Sequence, residues 1–296
     1  MLTLSVVTPS YQQGAFIRRT IESVLNQAVP VEYIVMDGGS TDETVAILKE
    51  YFPRIAWVSE RDRGQAHAVN KAIRASHGEI IGWLNSDDIY YPGAFQKVLA
   101  YFESHPDVDV VYGEAYHIDR EDQIIDRYPT EPWDFAHLLE VCFICQPGVF
   151  FRRSLIERYG YLDENLQYAM DYELWVRWGL KNVRFALLDE ILAGSRLYAE
   201  NKTLRNKEKP HREFCQFLRR SLGSVPERWI YNYGYAVVDS TGRPRTQKFR
   251  HSFLTAWVTL YASLRWNRKI PWSMWITLTR WVFGNLKASV KERFAA

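Results

Sequence analysis

Short β-branched runs alternate with amphipathic stretches along the first hundred residues. Residues 4–8 read as a strand, broken at Pro9-Ser10. From Phe16 onward, Phe16, Ile17, Ile21, Val24 and Leu25 fall at helical spacings, ending near 27–30. Residues 32–36 predict a second strand that runs into Asp37-Gly38-Gly39-Ser40. Thr41 with a carboxylate nearby marks a helix start ahead of Val45, Ile47 and Leu48. A third strand at 55–58, a helix at 65–76 with Ala66, Val69 and Ile73 on one face, and a fourth strand at 79–84 complete the series.

This alternation predicts an α/β fold, a mostly parallel sheet wrapped by helices on both faces. Such sheets bind ligands at the carboxyl ends of their strands. Three of the four strands end in polar turn formers: Thr8-Pro9-Ser10, Asp37-Gly38-Gly39-Ser40 and Asn85-Ser86-Asp87-Asp88. The third leads to Glu60-Arg61-Asp62-Arg63-Gly64. Beyond residue 105 the pattern loosens. Strands are expected at 108–112, 149–151 and 183–186, a hairpin at 115–127, and short helices at 155–159 and 172–180. Residues 199–210 are polar and Lys-rich, as in a loop or hinge.

The two adjacent carboxylates after the apolar run 80–84 raise a charge problem. Either Asp87 or Asp88 caps a turn before Pro92, or the pair holds a cation. Hard oxygen ligands suit Mg²⁺ or Mn²⁺, which take their remaining ligands from water and phosphate.

Net charge is +2, but it is unevenly spread. Residues 211–296 hold 15 Lys/Arg against 4 Asp/Glu, leaving 22 against 31 for residues 1–210. An acidic body with a basic tail points to segments with different partners. Three cysteines, Cys142, Cys145 and Cys215, are too few for a disulfide framework, and Cys142-x-x-Cys145 has no second ligand pair for zinc. Buried, reduced thiols and a cytoplasmic setting are expected. Residues 1–7 do not form a signal peptide, and no spanning helix is predicted.

The segments SVVTPSYQQGAFIRRTIESVLNQ (5–27), YIVMDGGSTDETVAILKEY (33–51), SERDRGQAHAVNKAIRASHGEIIGWLNSDD (59–88) and CQPGVFFRRSLIERYGYLDENLQYAMDYELWVR (145–177) together resemble the family 2 glycosyltransferases with the GT-A fold. The resemblance covers roughly residues 1–205. It implies a Rossmann-like catalytic domain over 1–210, with a nucleotide-sugar half (1–105) and an acceptor half (106–210). The resemblance does not explain residues 211–296, which read as a helical appendage. It also implies an inverting, metal-dependent hexosyltransferase-type enzyme that uses a nucleoside-diphosphate sugar, UDP-linked by analogy, with Mg²⁺ or Mn²⁺. The acceptor would be a glycan or lipid-linked hydroxyl in polysaccharide biosynthesis.

By the same resemblance, Asp88 would coordinate the metal and Asp87 would contact the ribose or a metal-bound water. Asp37 would hold the base or ribose, although Gly38 stands where the family often has a second acid. Thr8, Pro9 and Tyr11 would line the nucleoside pocket, and Arg63, Gln65 and Asn70 would border the donor. Asp171 would be the general base, with Met170 replacing the family's common Glu and Glu173 as an alternative carboxylate. Gln146 and Arg196 are candidate acceptor contacts. Tyr198 stands where some members carry a His, and Lys202 is a further candidate positive charge.

Two other functions compete. A sugar nucleotidyltransferase would need a Gly-rich basic loop after the first strand, where Pro9-Ser10-Tyr11-Gln12 stands instead. A non-catalytic sugar-nucleotide-binding or scaffold protein would not need Asp37, Asp87, Asp88 and Asp171 together. The tail carries 6 of the 11 tryptophans. Its amphipathic helices at 253–266 and 272–286 suit peripheral contact with an anionic membrane at its inner face, or packing on the catalytic domain or a sister subunit. No nucleic-acid recognition motif accompanies them.

Overall fold

The computed structural model describes residues 2–242, 245–246 and 248–294. By contacts the chain divides into two units: residues 1–138 with 142–198, and 139–141 with 199–296.

The first unit opens with β1 (Leu4–Ser10), α1 (Ile17–Leu25), β2 (Glu32–Asp37), α2 (Thr44–Glu50), β3 (Ala56–Ser59), α3 (Gln65–Ala75) and β4 (Ile80–Trp83). It continues with β5 (Ile89–Tyr90), α4 (Ala94–Ser104), β6 (Val110–Ile118), β7 (Ile124–Arg127), α5 (Phe135–Leu138), β8 (Val149–Arg152), α6 (Arg153–Tyr159), α7 (Met170–Gly179) and β9 (Phe185–Arg196). All nine strands belong to one sheet, ordered β3-β2-β1-β4-β8-β6-β9-β5, with β7 on the flank of β6. The strands β3-β2-β1-β4 are parallel, as expected. Beyond β4 the sheet becomes mixed, because β8 enters antiparallel between β4 and β6.

β1 is buried at every position because both faces are covered. Leu4, Val6, Tyr33 and Val35 pack with Ile17, Ile21 and Val24 of α1 and Phe95, Val98 and Phe102 of α4. The alternate positions point to the other face, where α3 packs on β1 and β2. Fully burying each such aliphatic or aromatic side chain contributes about 1.5–3 kcal/mol. This double cover fixes the sheet as a rigid platform whose parallel strands release their chain ends at one edge.

The second unit is helical: α8 (Lys202–Arg205), α9 (Glu208–Leu222), α10 (Glu227–Ser240), α11 (Lys248–Asn267) and α12 (Trp272–Phe294). The chain divides at Ala199 and not at Pro210, and much of the expected loop at 199–210 is helical. Pro210 lies in the first turn of α9, where its missing N–H has no helical partner to lose. Trp229 of α10 is buried and donates its indole N–H to the Leu139 carbonyl at 2.8 Å.

Asp239 ties the end of α10 to α11. It accepts from Arg245 Nε at 3.1 Å and lies 2.9 Å from His251 Nε2. The Arg245 hydrogen bond, outweighing desolvation, brings its carboxyl down to about 2. A depressed carboxyl stabilises the fold above its unfolded value near 3.9, and that gain is lost as pH falls through about 2. Asp239→Asn is therefore expected to cost about 1–2 kcal/mol in urea unfolding at neutral pH. The gap between variant and wild type should narrow as the pH drops from about 4 toward 2. An equal gap at both ends of that range would refute the linkage.

Candidate active site at the strand ends

The four parallel strands terminate beside one another at Ser10, Asp37, Ser59 and Trp83. The loop after β4 is built around Asn85. Its Oδ1 accepts from Gln65 Nε2 at 2.7 Å and Trp83 Nε1 at 3.1 Å. Its Nδ2 donates to Gln146 Oε1 at 2.8 Å and Asp88 Oδ2 at 3.2 Å. Gln146 in turn donates to the Trp83 carbonyl at 2.6 Å. The network therefore joins Gln65 at the start of α3, Asp88, and Gln146 of the segment before β8. Thr20 of α1 holds the turn from below, donating to the carbonyls of Ser86 and Asp88 at 3.0 and 2.8 Å.

The far end of β9 supplies the opposite wall. Arg196 donates its backbone N–H to Asp88 Oδ1 at 2.8 Å and its Nε to the Asp87 carbonyl at 2.6 Å. Its side chain is fully buried, ion-paired with Asp122, and lies 4.9 Å from the Phe16 ring centroid. Arg196 thus braces the Asp87-Asp88 turn from within. Tyr198 donates its hydroxyl to Asp87 Oδ2 at 2.9 Å.

Asp88 is only 4% exposed. Burial, and then the adjacent Asp87, push its carboxyl well above the ordinary range. Burial also raises Asp87, against the lowering effect of Tyr198. Two neighbouring carboxylates out of water resist ionising together unless a cation joins them. The donor set fits a hard dication: two carboxylates with an amide alongside, each Asp88 oxygen accepting a protein hydrogen bond that orients it. Among the described residues no cluster of three or more His, Cys, Asp or Glu could hold a metal alone, so further ligands would come from water and substrate.

The loop after β2 is also ordered from within. Asp37 Oδ2 accepts from Gly39 N at 3.1 Å, Ser40 N at 2.8 Å and Ser59 Oγ at 2.6 Å, and Oδ1 accepts from Ser40 Oγ at 2.5 Å. Among the described residues, Oδ1 retains a lone pair for a ligand N–H or O–H. Gly39 adopts φ +83°, which favours glycine. A Cβ at Gly38 would meet Asp62 Oδ2 at 2.7 Å and the Tyr11 ring at 3.3 Å. Glycine there lets Tyr11, 61% exposed, close over the loop.

Other expected donor residues fall in different places. Pro9 lies buried in β1 opposite Met36. Thr8 is completely buried, with its hydroxyl 3.1 Å from Tyr33 OH. Asn70, also buried, exchanges hydrogen bonds of 3.0 Å with Leu162 N and O and donates to Glu164 at 3.1 Å. It pins the 162–164 loop to α3. Arg63 is exposed and ion-paired with Glu164 of that same loop.

Asp171 lies in the first turn of α7 and its Oδ1 accepts the Tyr172 N–H at 2.8 Å. Burial chiefly, with the Asp171 charge adding to it, raises the Cys142 thiol to about 12. Burial, and then the Asp88 charge, raise Cys145 further. Both thiols stay protonated and unreactive near neutrality. Asn85, Thr20 and Glu164 were not singled out from sequence. For Asn85 the signal was its place at the end of the β4 run, ahead of the two acids.

Both the sequence and the fold have relatives among known proteins. Residues 5–160 match the family model described as Glycosyl transferase family 2. Chondroitin synthase of Escherichia coli is 29% identical over 247 residues, 82% of this chain but 35% of that protein. The uncharacterized glycosyltransferase MJ1057 of Methanocaldococcus jannaschii is 27% identical over 205 residues, 66% of this chain and 70% of its own length. Among solved structures, S. aureus TarS 1–349 in complex with UDP-GlcNAc superposes with TM-score 0.61 at 17% identity, covering 88% of this chain and 81% of that one. Mannosyltransferase PcManGT from Pyrobaculum calidifontis, in complex with GDP-Man and Mn²⁺, gives 0.58 at 17% identity over 98% and 87%. At such identities the structures speak for the fold alone.

Proposed function

The chain belongs to glycosyl transferase family 2, and on that premise we propose that it transfers a sugar, with inversion, from a nucleoside-diphosphate sugar to a hydroxyl of a glycan or lipid-linked acceptor. Its fold is of the GT-A type. The observation that carries the proposal is the hydrogen-bonded path Asp88–Asn85–Gln146, which ties the acidic turn at the end of β4 to the segment before β8.

In this reading the donor lies across the ends of β1, β2 and β4. Asp37 Oδ1 receives a base N–H or ribose O–H, Tyr11 covers that end, and Gln65 positions Asn85. Asp87 and Asp88 are the residues that would hold Mg²⁺ or Mn²⁺. Such an ion, when bound, offsets the negative charge on the departing nucleoside diphosphate. Asp171 accepts the proton of the acceptor hydroxyl as its oxygen bonds to C1 and the C1–O bond to the diphosphate breaks. One in-line displacement inverts the anomeric centre and needs no covalent enzyme intermediate. The mannosyl and UDP-GlcNAc ligands of the neighbours favour a hexose donor but do not choose the nucleotide. Surface or secreted polysaccharide synthesis fits the likeness to chondroitin synthase, of which this chain spans about a third.

The test is a screen of UDP-, GDP- and dTDP-sugars for nucleoside diphosphate release with Mn²⁺ or Mg²⁺, repeated with EDTA. One nucleotide series is expected to react and to lose at least about 10²-fold in rate on chelation. Absence of nucleotide binding in every series would sink the donor site, and EDTA-insensitive turnover would sink the metal.

A further inference from the structure

We propose that the α11–α12 hairpin lies on the surface of an anionic lipid bilayer. The helix α11 is built inside out. Its buried side carries small and hydroxylated residues, Ser252, Thr255, Ala256, Thr259, Ala262 and Ser263. These allow α10 to approach closely: a Cβ at Gly234 would lie 2.2 Å from Thr259 Oγ1. Trp266 near the end of α11 is buried as well, but four other large side chains point outward. Phe253, Trp257, Tyr261 and Leu264 are 45%, 61%, 61% and 51% exposed. Their spacing aligns them in one stripe about 16 Å long. On α12, Trp272, Ile276, Phe283 and Leu286 form a second stripe, with Trp272 at 76% and Phe283 at 60% exposed.

Charge selects the occupant. Residues 248–286 contain six basic residues and no Asp or Glu. Arg250, Arg265, Arg268, Lys269 and Arg280 are all exposed. A second copy of the same surface would bring like charges together, whereas lipid phosphates neutralise them. Nucleic acid offers phosphates but no hydrocarbon for Leu264, Ile276 and Leu286. A bilayer interface supplies both, with Trp and Tyr at headgroup depth and aliphatics below. No described helix is long and apolar enough to cross a membrane, so the hairpin lies along the surface.

The experiment is flotation of the full chain with vesicles of phosphatidylcholine alone or with added phosphatidylglycerol. The wild type should float only with the anionic vesicles, and less as salt rises. Arg268→Ser with Lys269→Ser is expected to weaken partitioning about 30-fold. Trp257→Ser with Trp272→Ser should weaken it at least about tenfold. Both pairs are exposed, and unchanged thermal unfolding and unchanged turnover of a soluble donor show that fold and active site persist. That control also separates failure of this proposal from failure of the donor site. Equal flotation on neutral vesicles, no flotation, or variants matching the wild type would overturn the proposal. So would a dimer dissolved by the tryptophan pair, or an RNA homopolymer held more tightly than the vesicles.

Discussion

Asp88→Asn should lose sugar transfer by on the order of 10³-fold without losing its fold, since the metal's charge stabilisation is worth several kcal/mol. The two halves of this result come from one feature. Asp88 is buried beside Asp87, and both burial and that neighbour disfavour its charge. An amide of the same shape removes the penalised charge and can still accept the Arg196 N–H, while its NH₂ meets the Asn85 NH₂ and loses that long hydrogen bond. The two effects oppose, so thermal stability in EDTA should change by no more than a few degrees. A charge retained where it lowers stability is expected at a site that needs it for a ligand. Titration of Mn²⁺ in the presence of nucleoside diphosphate should show at least about 100-fold weaker binding in the variant. If Asp88→Asn kept more than about a tenth of wild-type turnover, the metal assignment would fall.

The donor half of this site was legible because its signals are local. The strands β1, β2 and β4 each end in an abrupt change from apolar to turn-forming residues, and the sheet order brings those changes together. The opposite wall was not legible. Only 183–186 read as strand, yet β9 runs to Arg196, paired with β6 from Val110↔Phe185 to Ile118↔Arg196. The pairing shifts register around Gly113, Glu114 and Ala115, near where Asp189 and Glu190 interrupt the apolar sequence of β9. Bulged pairing of this kind erases the two-residue period that marks a strand. The contacts of Arg196 and Tyr198 with the acidic turn span more than a hundred residues, so no local pattern encodes them. The hydrogen bonds of Asn70 to Leu162 and of Thr8 to Tyr33 escape local pattern for the same reason, since their partners lie well apart along the chain.

Asp171→Asn should retain nucleotide binding but lose transfer by about 10²–10⁴-fold, the range supplied by a positioned general base. Sequence left two carboxylates in competition, and the structure separates them. Glu173 binds Arg177 through both oxygens at 3.0 Å, and Arg177 also clasps the carbonyls of Tyr159, Gly160 and Tyr161. Glu173 is therefore committed to holding the loop before α7, and Glu173→Gln should show mainly as lower stability. Asp171 sits one residue into the same helix, where the first-turn N–H groups favour an anion. The helix dipole contributes only about 0.3–1 kcal/mol here, so the amide variant should melt within a few degrees of the wild type. Calorimetric binding of the nucleoside diphosphate should be unchanged, because a general base acts on the acceptor hydroxyl and not on the nucleotide. Transfer within about tenfold of wild type would remove Asp171 as the base. Loss of nucleotide binding would instead place it in the donor site and return Glu173 to consideration.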